Sequence, residues 1–201
     1  MKTTIDDSWD KVWKNFTGLN IFGQWMFKSK EKAFSKILKI YIPKDFSIVD
    51  VGTGSGNVLS IFRKLGYKNS IGIDPSINSI SLCEMKGFKK NKDVFLSDSF
   101  KWKRKHDVVW SDGLLEHYDY IDMKNVAKSF VKMSKKLIGF TQPNPNSLIT
   151  KFINKSAWEW ERPYKKEDYI RVFESFGCHL IHFSYIHFKE QYFFIFERNE
   201  I

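Results

Sequence analysis

From residue 47 onward, short apolar runs rich in β-branched residues alternate with longer stretches whose apolar positions return every three or four residues. The first pattern predicts buried strands, the second amphipathic helices. Strands are expected over 47–51, 70–74, 94–97, 107–111 and 136–141, with helices over 58–65, 78–85 and 123–133. Gly66 and Gly87 stop the first two of these helices. Between the third and fourth strands there is room for barely a helical turn. Strands that alternate with helices run parallel, because each crossover carries the chain back to the same edge of the sheet. Upstream, 9–16 and 30–41 read as helices, the second ended by Pro43, and they are placed to cover the ligand edge of the sheet. Downstream come a helix near 167–176 and two strands, 178–188 and 191–197, joined by a short Lys189-Glu190 turn that makes them antiparallel.

The first strand runs directly into Gly52-Thr53-Gly54-Ser55-Gly56. Glycines at these positions let the backbone take positive φ and let a ligand touch bare main chain at a helix N-terminus. The spacing is G-x-G-x-G. A dinucleotide fold needs G-x-G-x-x-G, and its third glycine is replaced here by Asn57. No Lys-Ser or Lys-Thr follows to make a phosphate loop, and the spacing is not that of the G-x-S-x-G nucleophile elbow. The second strand ends at Asp74, 18 residues beyond Gly56, so parallel strands bring this carboxylate to the same crevice. There it can accept from vicinal ribose hydroxyls. Its alternative role is to cap the helix that follows Pro75.

With Asp50 two residues before the first glycine, this stretch resembles the first motif of the class I S-adenosylmethionine (SAM) dependent methyltransferases. The terminal hairpin extends the resemblance over nearly the whole chain. It implies an α/β fold: a Rossmann-like seven-stranded sheet of order 3-2-1-4-5-7-6, with an antiparallel terminal strand and helices on both faces. It also implies SAM as cofactor and S-adenosylhomocysteine as product, held by Asp50, Gly52, Thr53, Gly54, Gly56, Asp74 and Pro75. By the same resemblance the turn Ser97-Asp98-Ser99-Phe100 contacts adenine, through the Asp98 carboxylate and the Ser99 N–H, with Phe100 or Trp102 on the ring face. Asp98 can equally be a plain turn residue.

The fourth strand continues into Ser111-Asp112-Gly113-Leu114-Leu115-Glu116-His117, which is similar to the strand and Leu-Glu-His segment of many small-molecule methyltransferases. Ser111 backbone is expected at the methionine end of the cofactor, with Asp112 and His117 bordering the space where the methyl moves. His117 is the candidate general base, because an imidazole can take a proton from a hydroxyl or amine as that group attacks. It can instead be a structural histidine bonded to loop backbone. Glu116 is read as supporting the loop or solvating its surface. Trp158 and Trp160 are candidate substrate contacts, with Trp9, Trp13 and Trp25 as the opposing wall of an acceptor pocket; the alternative for each cluster is hydrophobic packing. Methyl transfer itself asks mainly for in-line positioning and exclusion of water, since the sulfonium already activates the methyl.

At 201 residues, 42% of them hydrophobic, the chain is long enough for one well-buried domain. Its parts are a helical cap (1–45), a cofactor-binding core (46–141), a candidate substrate lid (142–165) and a final helix with the hairpin (166–201). Cys83 and Cys178 have no metal-ligand spacing and read as reduced thiols, so no metal is expected and a cytoplasmic location is. No secretory signal and no membrane span are expected. The net charge of +10 raises the question of nucleic acid, and Lys101-Trp102-Lys103-Arg104-Lys105 is the segment best suited to it. Lysines elsewhere are dispersed and outnumber arginines, which suits a solvated surface better than phosphate recognition. The expected function is methyl transfer to an oxygen or nitrogen of a small molecule. The alternatives are a tRNA or rRNA methyltransferase and a SAM-binding scaffold without activity, with an NAD-dependent oxidoreductase more remote. Oligomeric state and acceptor identity are not legible.

Overall fold

The computed structural model describes residues 6–15, 21–147, 162, 164–187 and 189–199. Seven strands form one sheet of order β3-β2-β1-β4-β5-β7-β6, as the resemblance implied. The chain divides into two compact units, Met1–Trp102 and Lys103–Ile201.

In the first unit, helices α1 (Asp6–Lys14) and α2 (Ile21–Tyr41) precede β1 (Ile48–Val51), α3 (Asn57–Lys64), β2 (Ser70–Asp74), α4 (Ile77–Met85) and β3 (Val94–Leu96). β1 pairs with β2, and β2 with β3, all parallel, with Val51 opposite Ile73 and Asp74 opposite Leu96. All four residues of β1 are buried, the pattern of a strand covered on both faces. Val58, Leu59, Ile61 and Phe62 give α3 its buried side, and Leu59 joins Ile80, Cys83 and Val94 in one apolar cluster. Helix α2 starts nine residues earlier than the apolar spacing suggested, and its buried Phe34 packs on Phe62 at 6.2 Å.

The second unit holds β4 (His106–Asp112), a single 3-10 turn (Leu115–His117), α5 (Tyr120–Met133), β5 (Ser134–Pro143), α6 (Lys166–Glu174), β6 (Cys178–Ile186) and β7 (Gln191–Arg198). β4 and β5 are parallel, whereas β5–β7 and β6–β7 are antiparallel, so the predicted hairpin is present. Its connection carries His187 and Lys189 at positive φ. Tyr192 to Phe196 are all buried because β7 lies between two strands with both faces covered. The centre of this packing is Phe140, with Phe194 and Phe173 each 4.9 Å away and Tyr169 at 5.8 Å.

One close approach in this unit requires a glycine. Trp110 and Gly139 are register partners on β4 and β5, and a Cβ at Gly139 would lie 2.1 Å from the Trp110 ring. The wholly buried indole lies over a strand that offers no side chain there. β5 also runs further than 136–141: Gln142 and Pro143 still pair with Tyr192 and Gln191, so the segment expected to be a lid from 142 leaves the sheet only after Pro143. No described helix is long and apolar enough to cross a membrane.

Candidate active site

The glycine turn is built as its spacing requires. Gly52, Gly54 and Gly56 have φ of 69°, 53° and 73°, the left-handed region that side chains rarely adopt. The N–H groups of Gly52 and Thr53 both donate to the Ile73 carbonyl at 2.9 and 3.1 Å, which joins the turn to the end of β2. Gly56 stands at the N-cap of α3 with no side-chain cap. Asp50, 1% exposed, accepts from Thr53 Oγ1 through Oδ2 at 2.8 Å, so this acid braces the turn from within.

Asp74 is 4% exposed, and its Oδ2 accepts the Gly54 N–H at 2.9 Å. Oδ1 accepts the Ser76 N–H, also at 2.9 Å. The carboxylate therefore bridges the glycine turn and the start of α4. Two donors use two of roughly four acceptor positions on a carboxylate, which leaves capacity for a ligand hydroxyl. Burial raises its pKa, while the N–H donors from Ser76 and Gly54 oppose that rise. From the other side, Ser79 Oγ and Cys83 Sγ donate to the Gly54 carbonyl at 2.6 and 3.3 Å. Pro75, between the bridging acid and the capping Ser76, carries no N–H to compete for that carboxylate.

At the third strand, Asp98 is engaged in its own turn. Oδ1 accepts from the N–H groups of Phe100 and Lys101 at 2.8 and 2.9 Å, and Oδ2 pairs with Lys101 Nζ at 3.1 Å. These donors hold its pKa below the usual carboxylate value against the effect of burial. Ser99 is buried, Phe100 is 45% exposed, and Trp102 packs on Phe95 at 5.0 Å.

In the second unit the residues at the ends of β4 and β5 gather around the 3-10 turn. Ser111 is wholly buried, and Asp112 accepts a short hydrogen bond from Thr141 Oγ1. His117 has a side chain 7% exposed, with Nε2 3.8 Å from Glu116 Oε1. Burial depresses its pKa to about 4, partly offset by its bond to Gly113 backbone. The imidazole is therefore neutral at pH 7 and a weaker base than its sequence position suggested.

Glu116 is 2% exposed, so it is not an acid solvating the loop surface. Its N–H donates to Gln142 Oε1 at 3.2 Å, and the Tyr169 hydroxyl reaches the same oxygen at 3.4 Å. With two donors on Oε1, the amide orientation is determined and Nε2 must face away from both. Sequence reasoning passed over Gln142, wholly buried, because an amide between a threonine and a proline carries no motif. On the far side of the candidate lid, Arg162 N–H donates to the Glu116 carbonyl at 2.7 Å and the Tyr164 hydroxyl to the Tyr118 carbonyl at 2.9 Å. Arg162 and Tyr164 are thus tied to Glu116 and Tyr118, on either side of His117. Asn144, at its upstream end, bonds Lys189 and Glu190 carbonyls at 2.7 Å each. The two candidate substrate residues, Trp158 and Trp160, lie outside the described residues. Among the described residues no cluster of three His, Cys, Asp or Glu is suited to a metal, and Cys83 and Cys178 are free thiols.

Comparison with known proteins places these features in a family. A family model described as a methyltransferase domain matches residues 22–182. The chain is 35% identical over 72 residues to human EEF1A lysine methyltransferase 2, a match that covers 36% of this chain and about a quarter (26%) of that protein. Among solved structures, the magnesium protoporphyrin IX methyltransferase of Synechocystis PCC 6803 with bound S-adenosylhomocysteine has a TM-score of 0.73 at 13% identity, over 98% of this chain and 95% of that one. A SAM-dependent methyltransferase from Clostridium acetobutylicum ATCC 824 has a TM-score of 0.68 at 15% identity, over 96% and 97%. The chain belongs to the methyltransferase domain family, and its sheet is the fold of SAM-dependent methyltransferases.

Proposed function

We propose that this protein transfers the methyl group of SAM to an oxygen or nitrogen of a small molecule. The observation that carries the cofactor half is the bridge from Gly54 N–H to the buried Asp74 carboxylate, which sets a ribose-competent acid against a glycine turn of bare main chain. In this reading Asp74 accepts the ribose hydroxyls, while Gly52, Thr53, Gly54 and Gly56, braced by Asp50, receive the amino-acid end. Pro75 directs the chain away from the ribose, the Asp98–Ser99 turn borders adenine, and Ser111 lies at the methionine end. SAM supplies an electrophilic methyl when bound. The chain's own residues then have to orient the acceptor and keep water out.

On the acceptor side Asp112 and His117 border the methyl, and Trp158 and Trp160 contact the acceptor. A neutral, buried imidazole accepts a hydrogen bond from a hydroxyl or amine and holds its lone pair toward the methyl, with proton uptake a smaller contribution than for a histidine titrating near 6.5. We take the chain as one domain with the four parts given above, working in the cytoplasm.

A small acceptor is favoured over RNA by the state of the basic segment. Trp102, the one aromatic of that segment, is packed on Phe95 and is not set out to stack on a base. The similarity to a lysine methyltransferase makes a protein lysine the second nitrogen acceptor to test. The experiment is to incubate the purified protein with SAM and a panel of amines, phenols, carboxylates, a lysine peptide and tRNA, following S-adenosylhomocysteine. Turnover with a small amine or hydroxyl compound supports the reading. Turnover with tRNA or the peptide alone replaces the acceptor, and tight SAM binding without turnover on any of them favours the scaffold.

A further inference from the structure

Helix α1 contacts one end of the Gly54–Asp74 bridge directly and reaches the other through Ser76. At one end, a Cβ placed on Gly54 would lie 2.6 and 2.7 Å from Cζ2 and Cη2 of Trp13, so the benzo edge of this indole rests directly on the α-carbon of the middle glycine. Trp9, one helical turn earlier on the same face, stacks behind it at 6.1 Å. At the other end, Ser76 gives its N–H to Asp74 and its hydroxyl to Asp10 Oδ1 at 2.6 Å. Asp10 also accepts from Asn78, through the backbone N–H at 3.2 Å and the side-chain Nδ2 at 2.7 Å. A continuous chain of hydrogen bonds therefore runs from Gly54 through Asp74 and Ser76 to Asp10 and Asn78. These hydrogen bonds hold the Asp10 carboxyl below its ordinary value, so it is ionised and engaged at neutral pH.

We propose that Asp10 and Trp13 are cofactor-site residues, and that α1 is a strap whose seating on the glycine turn encloses the bound cofactor. The inference rests on the reading of that turn as the SAM site. A ligand that donates to Asp74 and lies on Gly54 touches one residue that α1 contacts directly and one that α1 reaches through Ser76. Seating and occupancy then stabilise each other, and the coupling is reciprocal. Asp10 is the latch and Trp13 the cover. Removing either leaves the glycine turn intact while opening one wall, so the effect falls on escape of the ligand more than on its arrival.

The test uses the full chain and S-adenosylhomocysteine, with stopped-flow tryptophan fluorescence for rates and hydrogen exchange over residues 6–15. For the native chain, ligand should slow exchange in α1. Asp10→Asn and Trp13→Ala should each raise the dissociation rate tenfold or more with little change in the association rate, and Trp13→Phe should restore most of the difference. Unchanged dissociation with ligand-insensitive exchange in α1 would overturn the strap. So would tighter binding by Trp13→Ala, which would make the indole a plug in the site. Should Trp13→Ala fail to fold, Asp10→Asn answers alone, since that substitution keeps the size of the side chain. A native chain that does not bind S-adenosylhomocysteine would remove the cofactor reading itself, a result distinct from normal binding without coupling to α1.

Discussion

The Gly54 N–H donates to Asp74 Oδ2 at 2.9 Å, fastening a left-handed glycine turn to a buried carboxylate at the end of the neighbouring strand. This acid is kept at a cost to the fold. Burial raises its pKa, so the ionised form is disfavoured in the folded chain, and its contribution to stability is present below the unfolded value of 3.8 and is lost as pH rises through the folded one.

Asp74→Asn should lower both binding and stability, because an amide offers one acceptor oxygen where the Gly54 and Ser76 N–H groups occupy two. Affinity for S-adenosylhomocysteine should fall by about 1–3 kcal/mol, the range for hydrogen bonds to a charged group, and the thermal midpoint of the ligand-free protein should fall with it. Calorimetric titration and thermal unfolding read the two quantities. Undiminished affinity would leave Asp74 as a capping residue only.

For His117 the informative measurement is a pH profile. With its pKa near 4, the maximal rate should show no limb at pH 6.5, and any acid limb should lie well below it. His117→Ala should lower the rate with little change in SAM affinity, by less than the roughly 10²–10⁴ of a full general base. A limb at 6.5 that disappears in the variant would restore the stronger role.

His106 and His117 together predict acid sensitivity. Burial takes both to about 4, with Lys135 and Arg104 adding to the effect at His106. A histidine with a folded value below its unfolded one near 6.5 adds stability that is complete above pH 6.5 and is lost as pH falls toward 4. Each should cost on the order of 3 kcal/mol across that window, at about 1.4 kcal/mol per unit. Denaturant midpoints measured from pH 7 to 4 should fall steeply, and less so in His106→Asn. A flat series would show that these imidazoles are hydrated.

Gly139→Ala should destabilise the protein by about 1–3 kcal/mol or more, because the new methyl would stand 2.1 Å from a buried indole that cannot swing away. Gln142→Leu should cost about 1–3 kcal/mol by stranding the Glu116 N–H and the Tyr169 hydroxyl. Gln142→Glu keeps an acceptor for both and should fold better than the leucine variant. Equal stability of the two would show that the amide oxygen does not matter to the loop.

Much of the fold was legible because it rests on local periodicity. β-branched runs and glycine stops placed the strands to within a few residues, and β2 at Ser70–Asp74 matched at both ends. Glycine spacing marked the turn, since only glycine occupies positive φ freely at three alternate positions. Tertiary structure decided whatever depends on neighbours distant in sequence. It set Trp13 on Gly54 and Asp10 on α4, contacts between segments more than forty residues apart that no local pattern encodes. It buried Glu116, which from sequence could support the loop or solvate its surface, and moved His117 away from physiological titration, because desolvation depends on what packs around a group and not on its place in a motif.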